Sequence, residues 1–190
     1  MEIIDAKFRK DELNILKGLK GKVFESYQHG AFFRISNFSY GKIRLVFQDK
    51  AVEITNYLVP IFYDNENDDI AMFRCMEVAK NSPYDSGIDE EMLETIVEET
   101  VKNVTVNEDI ISIYDPKTGE QWFSFEYHNA VIIETDKNIY TFYNFSKYNE
   151  TVCYSHNEEF ENVFSLKNQK HNWSNPGINK VVIKRNKILL

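Results

Sequence analysis

The stretch Asp89-Glu90-Glu91-Met92-Leu93-Glu94-Thr95-Ile96-Val97-Glu98-Glu99-Thr100-Val101 decides how this chain is read. Asp89 is a good helix cap, and Ile88 and Leu93 stand at the spacing of a hydrophobic staple. Glu90 and Glu91 suit the positive end of a helix dipole. Ile88, Met92, Leu93, Ile96, Val97 and Val101 fall on one helical stripe, and Asn103 is an acceptable stop. The spacing predicts an amphipathic helix over residues 89–101.

Upstream, Asp11 opens a shorter helical pattern over residues 12–19, with Leu13, Leu16 and Leu19 at three-residue spacing and Ile15 alongside. Gly18 and Gly21 weaken and end it. Each helix leads into alternating runs of strand character. In the first half these are residues 23–28, 32–38, 43–47, 52–57 and 70–78, with Ile43, Leu45 and Phe47 on one face and Arg44 and Val46 on the other. Pro60 marks an edge or a break, and Asp64 to Asp69 form a polar loop. In the second half the runs are residues 104–106, 110–114, 121–127, 130–135, 139–145 and 151–155. Asp115-Pro116-Lys117-Thr118-Gly119 is a turn by its chemistry. Residues 156–179 have weak periodicity, Pro176-Gly177 is a break, and residues 180–185 supply a last strand.

The two series echo each other. Asp49-Lys50-Ala51-Val52 matches His128-Asn129-Ala130-Val131, each read as a hairpin turn between alternating runs. The expected fold class is α+β with mostly antiparallel sheet, built from two similar helix-plus-meander units. They form one compact domain over residues 1–190, with a pseudo-repeat of 1–84 and 85–160 and a less regular segment at 161–190.

Composition bounds the rest. Fourteen Phe, eleven Tyr and two Trp supply ample apolar area for a core, while seven Gly and four Pro argue against flexible linkers. The chain carries 22 basic and 30 acidic residues, net −8. That field has the wrong sign for neutralising phosphates, so a nucleic-acid partner is not expected. No apolar run is long enough for a membrane helix, and Met1 to Asp5 is acidic where a secretory signal would be positive. The expectation is a cytoplasmic protein with Cys75 and Cys153 as reduced thiols. Richness in Asn, Lys, Ile, Tyr and Phe suggests an AT-rich genome, bacterial or phage.

The sequence carries no catalytic or cofactor signature. Cys153-x-x-His156 with His171 is half of a zinc pattern whose second pair is missing. Asp64, Glu66 and Asp68 stand at calcium-loop spacing. However, Asp69 replaces the required glycine and Cys75 the required glutamate, so no metal is expected. There is no nucleophile elbow or phosphate-cradling glycine pattern, and His128, placed at a turn, reads as an exposed ring. With no site constellation, no catalytic residue and no cofactor are expected, and the chain leans away from enzymes.

Two surface features remain. Asp89, Glu90, Glu91, Glu94 and Glu98 lie in a window, residues 85–100, that has no Lys or Arg. On a helix Glu91, Glu94 and Glu98 project from one side, opposite the Ile96 stripe. A solvated face explains this, and so does a patch that meets a basic protein. The sharpest version is an inhibitor or immunity-type protein for a basic partner. The second feature is the aromatic run from Ile139 to Phe145. It reads as a covered strand, or else Tyr140, Phe142 and Trp122 line a ligand pocket between the two units. A third reading is a structural subunit or a homodimer joined through a sheet edge.

Overall fold

The computed structural model describes residues 2–30, 37–63, 66–85 and 91–190. Among them 60% are in strand and 12% in helix, so the fold is largely β. In chain order the elements are β1 (Glu2–Ala6), α1 (Lys10–Lys17), β2 (Val23–Gly30), β3 (Phe38–Tyr40), β4 (Lys42–Phe47), β5 (Ala51–Tyr63) and β6 (Glu66–Val78). Then follow β7 (Met92–Tyr114), β8 (Gln121–Thr135), β9 (Ile139–Tyr143), β10 (Thr151–His156), α2 (Phe160–Val163), α3 (Leu166–Trp173) and β11 (Lys180–Leu189).

Neighbouring strands run β3-β10-β9-β8-β7-β2-β4-β5-β6, all antiparallel, with β11 added to β7 and β1 added parallel to β8. Only Gly41, at φ 69°, separates β3 from β4. The chain there leaves its pairing with β10 and enters its pairing with β2 and β5. The strand path β2-β4/β3-β10-β9-β8-β7 therefore returns on itself, which removes edges that an open sheet would expose. The positive φ suits glycine, which has no Cβ to clash.

The largest buried cluster takes side chains from every one of those strands except the short β3: Phe24, Tyr27, Ile43, Leu45, Phe47, Val101, Ile133, Tyr140, Phe142 and Val152 among them. Leu16 and Leu19, from α1 and the turn after it, join the cluster, as do Val52, Ile54 and Phe73 from the β5–β6 hairpin. Each fully buried large side chain contributes about 1.5–3 kcal/mol of transfer free energy. A second cluster gathers Ile111, Phe123, Phe125, Trp173 and Val181 where β1, β6, α3 and β11 cover β7 and β8.

The helix expected over residues 89–101 is a strand. From Met92 onward the chain enters β7, pairing first with β2 and then, from Val101, with β8. Residues 86–90, including Asp89 and Glu90, lie outside the described residues. The physical reason is legible afterwards. Thr95, Ile96, Val97, Thr100, Val101, Val104, Thr105 and Val106 are β-branched and lose rotamer freedom in a helix. Glu91, Glu94 and Glu98 would have repelled one another at helical spacing, with no lysine to offset them.

The α+β reading with two helix-plus-meander units falls with that helix. His128-Asn129 is no hairpin turn either. Both residues lie inside β8, which runs unbroken through the two runs read as separate strands. Residues 104–106 and 110–114 likewise belong to one strand, β7. Pro60 sits inside β5, opposite Asp69, beyond the part of β5 that β4 covers, where its missing N–H breaks no ladder on that side. Glu66 to Asp69 are part of β6, while Asp64 and Asn65 lie outside the described residues.

Candidate functional site

Along the β2–β7 pair, Phe24 and Tyr27 turn into the core, while Val23, Ser26 and Gln28 lie on the other face, where Val23 is exposed and Ser26 is covered by its neighbours. Phe24 and Tyr27 are three residues apart because the register shifts between Phe24 and Ser26. Opposite Glu25, β7 inserts both Val97 and Glu98, and Glu98 takes φ 55°. This β-bulge keeps the core residues facing inward on both sides of it.

On the outside, Glu94, Ile96 and Glu98 share one face with Val23, Glu25, Ser26, Gln28 and Lys80, around an open groove of about 540 Å³. Ile96 is 64% exposed, and exposed Val23 lines the same groove. Glu94 Oε1 accepts from Ser26 Oγ at 2.6 Å and from Gln28 Nε2 at 3.1 Å, so its carboxylate is held in place. Glu25 is paired with Lys80 at 2.5 Å. The groove thus has three carboxylates, one lysine and an exposed apolar centre.

The residues singled out from the sequence are only partly brought together. Glu94 and Glu98 share this face, with Ile96 between them rather than opposite. Glu91 is exposed and precedes the strand. Glu99 points inward, where Thr135 Oγ1 and Asn138 Nδ2 donate to it at 2.5 Å. Tyr140 and Phe142 are buried at 7% and 1% exposure. They pack edge-on against Phe24 and Tyr27 at 5.4 and 5.8 Å. Trp122 packs in the other cluster, with Phe125 and Trp173, so these three aromatics do not line a common space. Glu25, Ser26, Gln28 and Lys80 were missed; the register shift between Phe24 and Ser26 breaks the alternation that would have grouped the first three.

Elsewhere, β7 and β8 bury polar groups on both of their faces. On one, Asp109 accepts from Arg185 Nε and Nη2, both at 2.7 Å, and from Gln169 Nε2 and Asn129 Nδ2 at 2.8 Å. Gln169 also bonds the Tyr127 hydroxyl, and Asn107 Nδ2 donates to Asn129 Oδ1 at 2.7 Å. Arg185 further donates to Phe164 O and lies over the Phe160 ring, which ties β11 and the helical segment to the sheet. On the other face, His128 Nδ1 accepts from Phe8 N–H at 2.8 Å. Burial pushes that imidazole's pKa down to about 4.

Cys75 and Cys153 are separate buried free thiols, and burial pushes both pKa values up to about 12, away from thiolate chemistry. Cys153 lies in β10, and His156 at the end of that strand stacks on Tyr140 at 5.0 Å. Among the described residues no three His, Cys, Asp or Glu side chains converge as a metal set, and no helix is long and apolar enough to cross a membrane. No protein-family model, curated protein or solved structure matches this chain.

Proposed function

We propose that this chain acts by binding another macromolecule, a basic protein, through the β2–β7 face. The carrying observation is the pre-positioned Glu94 carboxylate beside exposed Ile96. An arginine or lysine of a partner can lay its apolar stem on Ile96 and bring its charge to Glu94 and Glu98. Glu94 is already fixed by Ser26 and Gln28, so little side-chain freedom is lost on binding. The net charge of −8 adds long-range attraction toward a basic surface, which raises encounter rate more than affinity. An inhibitor or immunity-type role against a basic partner is the sharpest form of this reading, and two separate free thiols fit a cytoplasmic setting.

The test is affinity capture from the native host at low and high salt, using wild type, Glu94→Lys with Glu98→Lys, and Ile96→Asp. The expected result is a basic partner retained at low salt by wild type alone. A captured partner whose retention and salt sensitivity are the same for all three proteins would remove this face from consideration.

A further inference from the structure

A second concave space, of about 570 Å³, lies on the far side of the sheet from the Asp109 cluster. It is walled by Asp5 of β1, Lys7 and Phe8 of the strap that follows, Arg9 at the N-cap of α1 and Leu13 within it, Arg74 of β6, Glu108 of β7, His128 of β8 and Ile188 of β11. Its volume is in the range of small-molecule sites.

Two donors in this wall have no acceptor. The Phe8 backbone N–H must donate, so His128 Nδ1 carries a lone pair and the proton of the neutral ring is on Nε2. That Nε2–H is buried and unpartnered, in a side chain of a residue only 2% exposed. Arg74 Nε is the other unpartnered buried donor, although the same guanidinium donates to Lys7 O and lies 3.5 Å from Glu12. A buried donor left without a partner costs about 1–3 kcal/mol, and here two of them belong to residues that line one cavity. An acceptor is what the wall lacks.

The neighbouring charges narrow the acceptor's class. Arg74 and exposed Arg9 favour a negative acceptor over a neutral carbonyl. Lys7 contributes less, being paired with Glu126 at 2.5 Å and Asp5 at 3.9 Å. Asp5 and Glu108 sit on the same wall, with Glu108 held by Asn186 Nδ2 at 2.7 Å, and they oppose a doubly charged group such as phosphate. Phe8, Leu13 and Ile188 supply an apolar lining for the rest of the ligand. We infer that this cavity binds a small monocarboxylic acid with an apolar body, its carboxylate accepting from His128 Nε2–H and Arg74 Nε–H. Both donor atoms are covered, so binding requires the side chains over them to move.

The site is independent of the β2–β7 face, and its test needs no protein partner. Imidazole nitrogen and proton signals of His128 are followed by NMR while hexanoate, hexanamide or inorganic phosphate is added to the full chain. Hexanoate should shift the His128 Nε2–H signal saturably, and the other two should bind at least about tenfold more weakly. Arg74→Lys keeps the charge but removes Nε–H, and should weaken hexanoate about tenfold. Arg9→Ala, at an exposed position outside the core, should weaken it about threefold. Hexanamide or phosphate binding as well as hexanoate, no saturable His128 shift with hexanoate, or wild-type affinity in both variants would each overturn the assignment.

Discussion

The two faces of the β7–β8 pair bury polar groups side by side, yet on opposite terms. Asp109 and Asn129 point one way and their chain neighbours Glu108 and His128 the other, and a register shift lies between Asn107 and Glu108. On the Asp109 face, both carboxylate oxygens and the whole guanidinium of Arg185 find partners. Only Asn107 Oδ1 is left over in that network. On the His128 face, an imidazole N–H and a guanidinium N–H of residues that line a cavity are buried without a partner. Complete satisfaction is what holds the C-terminal segment to the sheet. Incomplete satisfaction is what the proposed carboxylate would relieve.

The contrast is broken most directly at Asp109. Asp109→Ala leaves the buried Arg185 with only the half-exposed Glu161, at 3.0 Å, as counter-charge, and should cost about 3 kcal/mol in urea unfolding. The double variant with Arg185→Met should recover much of that loss, because the orphaned charge is then gone. Losses that simply add would show that the two residues are not one unit.

His128 should show the opposite behaviour, through pH. Its folded pKa of about 4 lies below the usual 6.5, so the unfolded chain takes up the proton first. The stability this group contributes is therefore fully present above about pH 6.5 and is lost as pH falls toward 4, by roughly 3 kcal/mol. His29, also lowered by burial, acts in the same direction. The check is the pH dependence of unfolding free energy for wild type and His128→Gln. The variant should show a visibly shallower fall over that window, and identical slopes would refute a buried neutral His128.

An unfavourable group kept for a purpose also occurs in the backbone. Glu98 adopts φ 55°, a left-handed conformation that costs a residue with a Cβ about 1–2 kcal/mol. Glu98→Gly removes that strain while giving up some unfolded-state restriction, and should raise stability by about 0.5–1 kcal/mol. The same change removes a carboxylate from the β2–β7 face, so partner capture should weaken as stability rises. A fall in both would mean that the Glu98 side chain supports the bulge itself.

Much of the sheet was legible from alternation alone. Ile43, Leu45 and Phe47 face the core together because a strand places every second residue on one side, and the β4–β5 turn at Asp49-Lys50 is where its polar residues put it. What misled was composition at two places. Acidic residues before an apolar run imitate a helix start, and the β-branched content of residues 95–106 and the repulsion among Glu91, Glu94 and Glu98 argued otherwise. His128-Asn129 resembles a turn in isolation, but pairing with β7 on one side and β9 or β1 on the other carries β8 through it. The candidate sites were less legible still. The acidic face was found in part, through Glu94 and Glu98, while the His128 cavity joins residues from six elements far apart in sequence.

The smallest expected effect is also the one that separates strand from helix at the stretch on which the fold turns. On a helical stripe Ile96 and Val101 would both be core residues, and truncating either would be costly. In β7 they have opposite parity: Ile96 is 64% exposed and Val101 is 1% exposed. Ile96→Ala should therefore change stability by less than about 0.5 kcal/mol, as surface substitutions do. Val101→Ala deletes two buried methyl groups from the main cluster and should cost about 1–3 kcal/mol. Comparable losses from both would restore the helix. A near-neutral Ile96→Ala that nonetheless weakens partner capture would place the side chain where the β2–β7 face needs it, outside the core and available for contact.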